Sequence, residues 1–373
     1  MTAATSDGAW LAAMLRVEAE LAGAAADCGL VPPSAAAAVR AACAPERFRV
    51  QDLAEGEATE ATPVIALVRR LRELVPPEAR AAVHVAATSQ DVLDTAMMLV
   101  ARDGLDAVGE QAEAVARLLA GLAARHRDTP QAGRTLGQHA VPITFGLWCA
   151  ARLVAIREAL DDLARVRRER LAVQLGGAAG TLAPAGDRGP ELVAALARRL
   201  DLAEPALPWH TARGRVGQLA AALGVLTGEL AAVAQDVVLL SSSDVAELAP
   251  ATPGGSSAMP HKRNPARAVL AVASAHRVPG LVATLLAGMP QELQRAAGRW
   301  QAEPATLTEL LRLAGATAAH LRAALDGVTV DAARMRAGVT ALLDASGGRL
   351  DTGSATMFTD RALQSRREGV DAP

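Results

Sequence analysis

The chain has 373 residues, 51% of them hydrophobic but only 2% aromatic, with no tyrosine and a formal net charge of −2. A near-neutral chain without a polybasic block excludes a general nucleic-acid binder or membrane-surface binder, so any anionic ligand must be captured by local geometry. Three cysteines without C-x-x-C spacing, Cys28, Cys43 and Cys149, suggest neither a disulfide framework nor a zinc site, and the cytoplasm is the expected compartment.

Residues 1–103 read as an N-terminal domain of shorter helices that ends at "ARDG" (101–104). Beyond it, Leu105, Val108, Ala112, Val115, Leu118 and Leu122 fall on one side of a helix. A second long helix runs Pro-free from Ile143 to about Val173, with Arg152, Arg157, Glu158, Asp161 and Asp162 on its outer face. In a third, Leu219, Leu223, Leu226, Leu230, Val233, Val237 and Leu240 alternate steps of four and three, an apolar stripe along about six turns. That stretch contains Glu229, Gln235 and Asp236, which argues for a soluble core helix over a membrane span. A fourth follows Asn264. Helices this long, without β-branched runs between them, predict an all-α bundle. Its central domain spans 104–345 and its C-terminal tail 346–373. Pro, Gly and polar clusters place connections at 31–34, 75–78, 128–135, 176–190, 203–210 and 249–265.

The last connection, loop 250–265, contains "PGGSSAMPHKRNP" (253–265). Gly254 and Gly255 loosen the backbone while the prolines restrict it, as a closing flap requires. Asn264 followed by Pro265 reads as an N-cap with proline at the first helical position, so the next helix aims its positive end at the loop. Lys262 adds a mobile charge, His261 a titratable group, and Ser256 and Ser257 hydroxyls that a nearby cation or N–H would acidify.

From Gly255 through Asn264 the string resembles the signature of the fumarase/aspartase superfamily, G-S-S-x-x-P-x-K-x-N, with every fixed position met. "TSQDVLDTAMM" (88–98) and "GRTLGQHAVPITFG" (133–146) look like that superfamily's two substrate-binding regions. "ATSQD" (87–91), "LGGAAGTLA" (175–183), "PWHTARGR" (208–215), "MPHKRNP" (259–265) and "GLVATLLAGMPQE" (280–292) narrow the resemblance to the subgroup that cycloisomerises 3-carboxy-cis,cis-muconate.

The resemblance implies a fumarase/aspartase-like long helical bundle, its C-terminal domain truncated or absent, assembled as a homotetramer with each site shared among three chains. It implies a tricarboxylate substrate, closed to 4-carboxymuconolactone in protocatechuate breakdown through an aci-carboxylate. By position Ser256 is the carbon base, with Ser257 next to it. Lys262, Asn264, Thr88 and Ser89 are candidates to hold carboxylates, and Gln90 and Gln138 to add neutral donors. His139 would orient a carboxylate or move a proton. His84 and His210 are candidate pocket residues, and Arg215, with Arg213 and Arg267, candidates to neutralise charge. Many of the lyases carry His directly after the Thr of the second region, where this chain has Leu136; Gln301 and Pro304 likewise stand where a His and a Trp are expected. Leu136 favours the cycloisomerase over the first alternative, a fumarate-releasing lyase of the adenylosuccinate type. The second alternative is a catalytically silent helical assembly protein, against which Ser256, Lys262 and Asn264 speak. With neither metal-ligand spacing nor a Gly-rich phosphate motif, no metal, cofactor, nucleic acid or membrane partner is expected.

Overall fold

The computed structural model of the chain describes residues 3–364. In chain order the elements begin with α1 (Asp7–Asp27), α2 (Pro33–Ala42), α3 (Val50–Glu60), α4 (Val64–Leu74) and α5 (Ser89–Arg125). A hairpin of β1 (Pro130–Thr135) and β2 (Gln138–Thr144) precedes α6 (Phe145–Arg170), α7 (Gly189–Leu200) and α8 (Gly214–Leu240). There follow β3 (Leu248–Ala249), α9 (Ala266–His276), α10 (Val278–Ala287), α11 (Glu303–Leu325), β4 (Thr329–Val330), α12 (Ala332–Ser346) and α13 (Ala355–Gln364).

Two compact units share the chain. The first comprises Met1–Ala107, Leu163–Leu223 and Gly280–Arg312; the second comprises Val108–Asp162, Gly224–Pro279 and Leu313–Pro373.

In the first unit α1 begins where Ser6 Oγ accepts the N–H of Ala9 at 3.1 Å, capping a donor that the first helical turn leaves free. Its buried face, including Leu15, Leu21, Ala22, Ala24 and Ala25, packs against α2 and α7, and the alanines permit close approach. Leu67 and Leu71 of α4 and Leu192, Leu196 and Leu200 of α7 complete a core that also takes in Trp300.

The predicted stripe of α8 is buried throughout, from Leu219 at 0% to Leu240 at 7% exposure. Each such Leu or Val contributes roughly 1.5–3 kcal/mol through burial. The stripe expected on 105–122 is buried as well, except that Leu119 at 0% takes the place predicted for Leu118, which is half-buried. No break occurs near residue 103. α5 runs through Asp103 and Gly104, where a Cβ on Gly104 would lie 2.9 Å from Leu311 Cδ1. A single helical Gly costs about 1 kcal/mol, which the packing of a 37-residue helix overrides.

The second unit also contains strands: β3 pairs with β4 antiparallel, and a longer pair lies at 130–144. Residues 130–144, read in part as a connection, form an antiparallel hairpin that pairs Gln131 with Ile143 and Thr135 with Gln138. Leu136 and Gly137, with φ of 53° and 76°, make its two-residue turn. α12 packs on β1, with Ala132, Val339 and Leu342 buried between them. The tail expected from residue 346 includes α13, and its residues 365–373 lie outside the described part.

Candidate active site

In the first unit the segment 88–91 folds into its own cap. Thr88 N–H donates to Asp91 Oδ2 at 2.9 Å. The same carboxylate accepts the N–H groups of Gly176 at 3.0 Å and Gly177 at 2.9 Å, and the Nε2–H of His210 at 2.7 Å. Asp91 is 1% exposed, so one buried anion with these four donors joins the stretches 87–91, 175–183 and 208–215. The glycines are required by close approach. A Cβ on Gly176 would lie 2.8 Å from His210 Cε1, and Gly177 has φ +67° with the Ala86 carbonyl 2.9 Å from its Cβ position.

Next to this hub lies a buried polar layer. Gln90, fully buried, donates Nε2–H to Asp94 Oδ2 at 3.2 Å and to the His210 carbonyl at 2.9 Å. Arg213 sits between Asp94, at 2.7 and 2.9 Å, and Glu303, whose Oε1 accepts its Nε–H at 3.0 Å and whose Oε2 accepts a second bond. Burial pushes the Glu303 carboxyl above its usual range, and the Arg213 hydrogen bond only partly offsets it. Gln90, His210 and Arg213 are buried here, and their side chains hold the surrounding elements in place. Arg215 lies over the Trp209 ring at 5.7 Å and donates to the Arg170 carbonyl at 3.3 Å.

Ser89 and His84 line a cavity of about 620 Å³ together with Ile65, Val68, Arg69, Arg72, Glu73 and Arg80. His84 has φ +60°, a left-handed backbone that a non-glycine residue adopts only when its surroundings impose it. Glu18 of α1 imposes it. Its Oε2 accepts the His84 backbone N–H at 3.0 Å and its Oε1 lies 2.6 Å from Nδ1. Thr88 Oγ is engaged by Arg295 at 2.7 Å.

In the second unit the hairpin tip presents Thr135, Leu136, Gln138 and His139 to solvent. Its root is held by Glu247, 1% exposed, which accepts from Arg134 at 2.6 and 3.2 Å and from Gln131 Nε2–H at 2.7 Å. Glu247 directly precedes β3, which leads into the glycine-rich loop. That loop is pinched at its neck: Gly254 N–H donates to the Asn264 carbonyl at 2.8 Å and Asn264 N–H returns to the Gly254 carbonyl at 3.0 Å. Asn264 is therefore not the helix cap expected from the sequence. Its Nδ2–H donates to the Gly255 carbonyl at 3.0 Å, and α9 begins at Ala266 behind Pro265. Inside the loop Ser256 Oγ accepts the N–H of Met259 at 3.1 Å and of Ala258 at 3.3 Å. Ser257, His261 and Lys262 are exposed.

The expected site residues thus fall into two groups: His84, Thr88 and Ser89 in the first unit, where Asp91 caps Thr88, and Gln138, His139, Ser256, Ser257, Lys262 and Asn264 in the second unit, on the hairpin tip and the glycine-rich loop. Sequence reasoning missed three buried carboxylates that position these segments, Asp91, Glu247 and Glu18. Asp91 stood in plain view within "TSQD"; Glu18 and Glu247 gave no signal. Among the described residues, no group of three or more His, Cys, Asp or Glu is placed to hold a metal ion.

A family model described as Lyase matches residues 1–280. The chain belongs to this lyase family, the fumarase/aspartase superfamily. Among its relatives in the superfamily, 3-carboxy-cis,cis-muconate cycloisomerase of Pseudomonas aeruginosa is 43% identical over 90% of this chain and 74% of its own length. Nitrosuccinate lyase of Streptomyces davaonensis is 44% identical over 93% of this chain and 75% of its own. The crystal structure of the 3-carboxy-cis,cis-muconate lactonizing enzyme from Pseudomonas putida superposes with a TM-score of 0.85 at 38% identity, covering 98% of this chain and 84% of that one.

Proposed function

We propose that the chain is a cycloisomerase that interconverts 3-carboxy-cis,cis-muconate and 4-carboxymuconolactone. One carboxylate of the substrate adds across a double bond, charge passes through an aci-carboxylate, and a proton is delivered to the adjacent carbon. Ser256 is the group that moves this proton. The observation that carries the reading is its environment: two backbone N–H groups already point at its oxygen, where they lower the cost of an alkoxide. Lys262, six residues on in the exposed loop, supplies a cation on closure, and each well-placed donor at a developing oxyanion is worth about 3 kcal/mol. Thr88 and Ser89 hold carboxylates, and Gln138 and His139 contribute from the hairpin tip. Similarity to cycloisomerases in both sequence and structure supports this assignment.

The working form is a cytoplasmic homotetramer with sites shared among three chains. Supporting it, α8 and the stretch 266–287 are apolar enough to cross a membrane yet leave much of that surface unburied in one chain. Val225 and Leu239 of α8 and Val269 and Leu270 of α9 are each between 46% and 63% exposed.

A second reading, β-elimination from nitrosuccinate, is favoured by the comparable identity to nitrosuccinate lyase. One assay separates the two. The purified protein is given 3-carboxymuconate freshly made from protocatechuate, and in parallel nitrosuccinate, adenylosuccinate and argininosuccinate. Loss of the diene absorbance without fumarate supports the cycloisomerase; release of fumarate, with nitrite in the case of nitrosuccinate, overturns it.

A further inference from the structure

We propose that Arg72, Arg80 and His84 form a carboxylate-binding subsite in the 620 Å³ cavity, accepting the carboxyl group by which a tricarboxylate differs from a dicarboxylate, and that Glu18 is the residue that positions His84 for it. This deepens the cycloisomerase reading and rests on it for the identity of the substrate.

The charge balance of the cavity wall carries the inference. Of the cavity's arginines, Arg69 is held by Glu60 at 2.6 Å, while among the described residues Arg72 and Arg80 have neither a hydrogen bond nor an ion pair from their side chains. The wall's one carboxylate, Glu73, is paired with Arg70 at 3.0 Å. Two guanidinium groups therefore line the cavity without a carboxylate partner of their own among the described residues. Guanidinium groups bind carboxylates in paired, planar geometry, which makes them the natural hosts for such a ligand. Ser89 adds a hydroxyl at the first residue of α5, where the helix end is positive.

His84 completes the wall in a form prepared for an anion. Its Nδ1 is occupied by Glu18, so Nε2 is the ring nitrogen left for a ligand. Burial alone would lower its pKa, but the charge and hydrogen bond of Glu18, aided by Asp91 and opposed by Arg72, hold it above the ordinary histidine value. The groups around this imidazole are Glu18 from α1, Arg69, Arg72 and Glu73 from α4, Arg80 from the turn 77–82, and Asp91 from α5. Glu18 itself is fully buried, and it grips both the ring and the backbone of a residue in a strained conformation. Cavity volume also suits the ligand, since small-molecule sites run from about 300 to 1,000 Å³.

The test uses full-length protein and two unreactive probes, tricarballylate and glutarate, measured by calorimetry. Wild type is expected to bind the tricarboxylate at least tenfold more tightly than the dicarboxylate, and Arg72→Gln with Arg80→Gln to erase that preference while the melting temperature holds. Arg72→Lys with Arg80→Lys is expected to restore part of it. In turnover, Arg72→Gln should raise KM for 3-carboxymuconate at least tenfold with a smaller change in kcat. Glu18→Gln should make the rise of KM with pH begin at lower pH, which a purely structural role would not do. Equal tricarballylate affinity in wild type and the double variant, or no binding by either, overturns the subsite even if wild type consumes the diene. If wild type binds tricarballylate selectively but leaves the diene untouched, the subsite stands and the cycloisomerase reading falls.

Discussion

His210 donates its Nε2–H to Asp91 Oδ1 across 2.7 Å and 119 residues of chain. The bond is buried, with side-chain exposures of 5% and 1%, and the carboxylate also serves three backbone N–H groups from Thr88, Gly176 and Gly177. Asp91 thereby fixes the position of Thr88 and of the adjacent Ser89, which lines the cavity.

Replacing Asp91 with Ala would strand those donors, each at a cost of about 1–3 kcal/mol. Asp91→Ala is expected to lower the denaturant midpoint sharply and abolish turnover. Asp91→Asn, which keeps an acceptor oxygen but places an amide among N–H donors, should fall between. Urea unfolding followed by circular dichroism measures both.

Glu247 and Arg134 should respond unequally. Arg134 is 26% exposed on its side chain and Glu247 only 2%, so an orphaned arginine can turn to water but an orphaned glutamate cannot. Arg134→Met is expected to cost about 3 kcal/mol or more, the penalty of an uncompensated buried charge, and Glu247→Gln distinctly less. The same unfolding curves decide the order. Because Glu247 ties the hairpin to the root of the loop, both variants should also lose activity.

Ser256→Ala removes the proposed proton carrier from an accessible loop. Turnover should fall about 10² to 10⁴-fold, the usual contribution of a positioned acid or base, with the melting temperature unchanged. Ser257→Ala, whose hydroxyl receives no such pair of N–H donors, should fall less. Initial rates of diene loss for the two variants check this; a Ser256→Ala enzyme with near wild-type turnover would exclude the assignment.

The acid limb of the stability curve carries another expectation. Hydrogen bonding from Arg40, joined by Arg199 and opposed by burial, holds the Glu20 carboxyl below its ordinary range, and Arg199 does the same for Asp27. A depressed carboxylate stabilises the fold above its unfolded pKa and loses that contribution as pH falls through its folded pKa. The stability gap between wild type and Glu20→Gln should therefore be widest near neutrality and close below about pH 4. Unfolding free energies measured across that range test the sign.

The helices were legible because periodicity is local. The α8 stripe from Leu219 to Leu240 needs only the 3.6-residue repeat to be found, and it is buried as read. The slip from Leu118 to Leu119 and the helix that continues through Gly104 show the limit: neighbours such as Leu311 decide which of two adjacent leucines turns inward and whether a glycine ends a helix. The hairpin escaped notice since its strands are short and polar at the tip, without the branched and aromatic residues that announce a strand.

For chemistry, the order of residues along the chain determined the loop: glycines, adjacent serines, Lys262 and Asn264 lie within a few positions, and a short segment can hold its own hydrogen bonds, as Ser256 and Asn264 do. Only the tertiary structure decided which charges are spent and which are free. Arg213, a candidate to neutralise substrate charge, is consumed by Asp94 and Glu303, whereas Arg72 and Arg80, which line a cavity, and Glu18, which governs His84, are not singled out by the sequence. A carboxylate's partner is set by proximity in space, and packing brings together residues whose separation in sequence carries no trace of it.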